Sequence, residues 1–116
     1  MNSSSIAIGL LLYFVTHIII WFQVNGQFLW KSFAKNEWLV AASGIFLSIF
    51  YIWGTKYTVE AFSGLLWPGR LVGFGSGMIV MAILTWYMLG EGLNLKTLTS
   101  LILATGLVCV QVFWKV

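Results

Sequence analysis

Long apolar runs alternate with short polar interruptions along this chain. Four runs, residues 5–24, 38–55, 62–89 and 97–114, carry no acidic side chain. A helix rises 1.5 Å per residue, so about 20 residues cross a hydrocarbon layer of ~30 Å. The charged residues collect in the gaps: Lys31, Lys35 and Glu37 in the first, Lys56 and Glu60 in the second, Glu91 and Lys96 in the third. Backbone groups in lipid have no water to bond to, so spans of this length form helices. The pattern predicts an all-α, four-transmembrane-helix bundle: one integral membrane domain over residues 1–116, with both termini on the same side.

The third run has two candidate starting points. If its helix starts at Trp67, Pro68 lies in the first turn, where a missing N–H costs nothing, and Arg70 reaches the interface. If it starts nearer Ala61, Pro68 bends it and Arg70 lies deep enough to need a partner or a wet cavity. The interfacial placement is the expected one. Trp30 and Trp38 beside the first gap, Tyr51, Trp53 and Tyr57 at the second, Trp86 and Tyr87 at the third, and Trp114 read as interfacial anchors.

Composition agrees with the spans. Charged residues make up 8% of the chain, against about 25% in soluble domains, and the mean hydropathy is +0.96. A soluble core of this size could not hide so much apolar surface. The leading segment Met1-Asn2-Ser3-Ser4-Ser5 has no basic residue, and no small-residue cleavage site follows it, so the first run reads as a retained helix and not a signal peptide. The six cationic residues are scattered, which argues against a nucleic-acid partner. Lys56, Arg70 and Lys115 fall on the amino-terminal side and Lys31, Lys35 and Lys96 on the other. The balance gives no strong positive-inside bias, and chains so balanced can insert both ways up. Cys109 is the only cysteine, so no internal disulfide forms.

Few residues offer chemistry. Gly69, Gly73 and Gly77 form a small-xxx-small stripe for close helix packing or a hinge. His17, the only histidine, shares a helical face with Trp21 and Asn25, while Thr16, Gln23 and Gln27 lie near another. A lone histidine in a span more often bonds a neighbouring helix than carries protons. Gln111 reads as interfacial. No paired-carboxylate motif, phosphate-binding loop, nucleophile elbow or metal-ligand spacing occurs. No enzyme activity, cofactor or metal is expected.

The order of features resembles the small multidrug resistance family of the drug/metabolite transporter superfamily. Gln23, Gly26 and Lys31 stand at the spacings of that family's essential Glu, Gly and Lys. Trp67-Pro68-Gly69 leads into Gly73-Phe74-Gly75 where the family has an aromatic Trp-x-Gly and a hinge. Trp86 precedes Leu89-Gly90-Glu91-Gly92-Leu93-Asn94-Leu95 where the family ends its third helix. Ser100, Ala104 and Gly106 are similar to the small residues of its dimerisation helix. The resemblance implies a homodimer, antiparallel in the family's manner, in a bacterial inner membrane, with a related membrane subunit as an alternative partner. The departure is Gln23, which cannot ionise as the family's Glu does. Proton-coupled export of cationic drugs is therefore not expected. Gln23, Trp67, Arg70 and His17 are instead the expected substrate-binding residues, and Arg70 suits a neutral or anionic metabolite or a lipid-linked phosphate. A contrasting expectation is a non-transporting assembly partner of a larger membrane complex.

Overall fold

A computed structural model describes residues 3–114, so Met1, Asn2, Lys115 and Val116 lie outside the described residues. Of the described residues 88% are helical and none forms a strand. Helix α1 spans Ser3–Asn25 and runs into a 3-10 turn, Gly26–Phe28; α2 is Lys31–Lys35, α3 Glu37–Ala42, α4 Gly44–Ala61, α5 Leu66–Leu89 and α6 Leu95–Phe113. Four stretches are long and apolar enough to cross a membrane: Ser3–Phe28, Glu37–Ala61, Leu66–Leu89 and Leu95–Phe113. The four-helix membrane fold expected from the hydrophobic pattern is the fold observed.

The boundaries differ from the sequence expectation at the end of the second span and in the first polar gap, and the third span takes the expected start. The second span continues through Lys56 and Glu60 to Ala61. No residue before Ser63 and Gly64, both at positive φ, stops the helix, and Lys56 can sit beside the Tyr57 ring, 5.9 Å from its centroid. Helix α5 starts at Leu66, so Pro68 is in the first turn, and Arg70 follows about 6 Å along the axis. This is the interfacial start. Within the first polar gap, α2 supplies a helical turn that hydrophobicity alone did not indicate.

One ending and one beginning in the second half are built from local chemistry. Gly90, at φ 69, terminates α5 in the left-handed conformation while its N–H bonds the Trp86 carbonyl; an L side chain there would be strained. The Asn94 side chain accepts from the Thr97 N–H at 2.8 Å and caps α6.

Short connections at residues 62–65 and 90–94 set neighbouring helices antiparallel. Helix α1 packs against α4 and α5, whereas α6 packs on α5. The result is a slab of 49 × 36 × 18 Å. Along α1, Gly9 meets Thr58 and Tyr13 meets Gly54, so α4 runs opposite to α1; Tyr13 meets Gly73 and His17 meets Gly77, so α5 runs with it. Both described ends therefore lie at one face of the slab.

Candidate functional site

The interior of the slab is narrow because glycines let the helices approach. A Cβ on Gly69 would stand 2.9 Å from Thr58 Oγ1, and one on Gly73 would stand 3.2 Å from the Tyr13 ring. The stripe of the third span is thus filled by side chains of α1 and α4 in the same chain. Without an attraction of apolar surface for itself in lipid, such close packing and hydrogen bonds hold the helices together.

The hydrogen bonds at this contact have a defined direction. Thr58 Oγ1 donates to the Gly54 carbonyl at 2.9 Å, which uses its one proton. The Tyr13 hydroxyl lies 3.3 Å from Thr58 Oγ1 and 3.2 Å from Thr55 Oγ1. Tyr13 must therefore donate to Thr58, and Thr55 must donate to Tyr13. One layer deeper, His17 Nε2 lies 3.0 Å from the Gly73 carbonyl. A carbonyl only accepts, so Nε2 carries a proton and donates it. Trp21 Nε1 donates to Thr85 Oγ1 at 3.1 Å and completes the α1–α5 contacts. No buried side-chain nitrogen or oxygen among the described residues lacks a partner.

Beside this packed seam lies a cleft among α1, α4 and α5, in two parts of about 250 and 370 Å³. Tyr13, His17, Tyr51, Phe74 and Met78 line the first, and Thr55, Leu66 and Trp67 the second; Arg70 and Tyr13 border both. The His17 and Tyr51 rings meet edge to face at 5.7 Å. Arg70 is the one charged side chain on either lining. Such a wall can hold an apolar or flat group against the rings while the guanidinium bonds an anionic or carbonyl oxygen. Among the described residues no group of three His, Cys, Asp or Glu is placed to hold a metal.

Three of the four expected substrate-binding residues, His17, Trp67 and Arg70, come together here. Gln23 does not. Its Nε2 donates to the Val40 carbonyl at 3.1 Å and to Ser43 Oγ at 3.2 Å. Val40 lies where α3 passes into α4, and its carbonyl also accepts from the Ser43 N–H. The amide of Gln23 thus ties α1 to the joint in the second span, about 9 Å along α1 from His17.

Sequence reasoning missed Tyr13, Tyr51, Thr55 and Thr58. Tyr51 was expected at the interface. The extension of α4 to Ala61 places it in the interior instead, half-buried against His17. The signal was present: Tyr13 and His17 are four apart, and Tyr51, Thr55 and Thr58 recur at helical spacing on one face.

The small residues of α6 divide between two faces. Ala104 is buried against α5 and lines a cavity with Gly75 and Val72. Gly106 is exposed, with open space where a Cβ would stand, and Ser100 is exposed with its hydroxyl donating to the Lys96 carbonyl. Comparison of the chain with protein-family models, curated proteins and solved structures gave no match.

Proposed function

We propose that this chain is a small multi-pass transporter-type protein of a cell membrane, working as a homodimer on a neutral or anionic small metabolite or a lipid-linked phosphate. One observation carries the reading. Arg70 stands at an aromatic cleft between three membrane-spanning helices, and no carboxylate lines that cleft with it. A cation placed about one turn inside a span costs less than the few kcal/mol of the membrane centre, and it gives the cleft a preference for anions. The cleft opens along the exposed face that carries Trp67 and Phe74, which suits a substrate arriving from the bilayer or from a partner copy.

The experiment compares two amphiphiles with the same tail, dodecyl phosphate and dodecyltrimethylammonium, binding to the protein in nanodiscs. The phosphate should bind more tightly, and Arg70→Ala should remove the difference. Equal affinity in the unmodified protein, or a preference unaltered by Arg70→Ala, would refute the reading.

A second reading has its own observation. Ala104 is the one buried residue among those described in α6, and Ile102, Leu103, Leu107, Val110 and Phe113 are exposed. A helix covered on so little of its surface also suits an assembly partner of a larger membrane complex. Such a role needs no solvent access to Arg70, so protection of an Arg70→Cys variant from aqueous thiol reagents would favour it.

A further inference from the structure

A second cavity, separate from the Arg70 cleft, lies where α1 ends and the second span begins. It measures about 330 Å³ and is lined by Gln23, Gln27, Phe33 and Glu37 together with Val24, Val40 and Ala41. We propose that it receives the ammonium group of an aminophospholipid headgroup such as phosphatidylethanolamine. The proposal is independent of the function assigned to Arg70.

The orientation of the two amides carries the argument. Gln23 Nε2 donates to the Val40 carbonyl and Gln27 Nε2 to the Val24 carbonyl, at 3.1 and 2.9 Å. Gln23 spends both N–H groups on the protein, the second on Ser43 Oγ, and Gln27 spends one, so each amide keeps its oxygen free as an acceptor. The Gln23 side-chain oxygen accepts no hydrogen bond within the protein, and since no buried polar atom is left without a partner, it is accessible. The Glu37 carboxylate adds a third acceptor and a negative charge on the same lining. A primary ammonium brings three N–H donors and one positive charge. It matches this set.

Position and charge select the lipid over a free amine. The cavity lies at the ends of the spans Ser3–Phe28 and Glu37–Ala61, at headgroup level, beside the stacked Phe22 and Trp30 rings and the Phe33 ring 5.1 Å from Trp30. Gly26 leaves no space for a side chain under Phe33, which holds that ring over the turn. Lys31 and Lys35 on the intervening α2 are exposed. Both lie on the segment that joins the two spans, which makes them the cations nearest in the chain for the phosphate that an aminophospholipid carries next to its ammonium. Carboxylate and amides for one end and lysines for the other complement a zwitterion.

The test uses the full chain in bilayers containing equal amounts of phosphatidylethanolamine and phosphatidylcholine with identical acyl chains. Retained lipids are counted by native mass spectrometry. Phosphatidylcholine has the same charges but no N–H, so the ethanolamine lipid should be retained about fivefold more, the scale of one charge-assisted contact at an exposed site. Glu37→Gln, checked for unchanged helicity, should bring the ratio close to one, and Gln27→Leu should lower it. Equal retention of the two lipids by the unmodified protein would overturn the proposal. So would a preference that survives both substitutions, or displacement of the lipid by millimolar free ethanolamine, which would show that the amine alone is recognised.

Discussion

His17 and Gly77 mark a closest approach of α1 and α5: a Cβ at position 77 would stand 2.9 Å from His17 Cε1 and 3.1 Å from Nδ1. The same imidazole holds the Gly73 carbonyl through Nε2. The absent side chain at 77 and the hydrogen bond at 73 therefore depend on each other, one turn apart on α5.

Gly77→Ala should push the imidazole away from Gly73 and lower stability by about 1–3 kcal/mol, the range of overpacking. Gly106→Ala, whose Cβ meets nothing within 4 Å, should leave the monomer unchanged. Unfolding by sodium dodecyl sulfate titration in mixed micelles measures both. Equal effects would contradict the packing described.

Tyr13→Phe should remove both hydroxyl contacts to α4 while keeping the ring against Gly54 and Gly73. Interhelical hydrogen bonds in membranes contribute about 0.6 kcal/mol on average and up to ~1.7, so a loss of roughly 1 kcal/mol is expected in the same titration. Thr55→Val should lose less, because Tyr13 keeps its donation to Thr58.

Cysteine labelling in a Cys109→Ala background should place Ser4 and Ser63 on one side of the membrane and Asn36 and Asn94 on the other. Ser63 is the proper reporter for the second connection, since Thr58 is fully buried within α4. Labelling of Ser4 and Asn36 from the same side would contradict the first crossing. If the chain inserts both ways up, each site labels from both sides in equal measure.

Replacing Gly106 with Leu should weaken self-association, read as loss of cross-linked dimer in bilayers, without changing the monomer's helicity. Ala104→Leu should instead disturb the monomer, because Ala104 faces α5. Cross-linking unchanged by Gly106→Leu would move the dimer contact off this face.

Vesicles containing the unmodified protein should show no proton-driven export of a quaternary ammonium dye, since no carboxylate lines the cleft of His17 and Arg70. Gln23→Glu should add a pH-dependent site for such cations beside Glu37. Robust export by the unmodified protein, kept in a His17→Ala variant, would overturn the charge argument.

The hydrophobic pattern alone determined that there are four spans, that they are helical and that the chain doubles back three times. Those features follow from the cost of exposing polar backbone to lipid, which each segment meets by itself. The end of α5 was legible, at Leu89 before Gly90, but α6 begins two residues ahead of the expected run, where Asn94 caps it. The end of α4 was not legible, because Lys56 and Glu60 resemble a loop although the helix carries them onward to Ala61. The cleft was half legible. His17, Trp67 and Arg70 stand out as polar or aromatic residues among apolar ones, but nothing in their own segments says which faces meet. Only the tertiary structure decided that Tyr13 and Tyr51 join them, that Ala104 and Gly106 face opposite ways, and that Gln23 spends its amide on the carbonyl of Val40. Those outcomes depend on the rotation and depth of each helix against its neighbours. In lipid, where apolar burial does not favour one face over another, glycine contacts and a few directed hydrogen bonds set them.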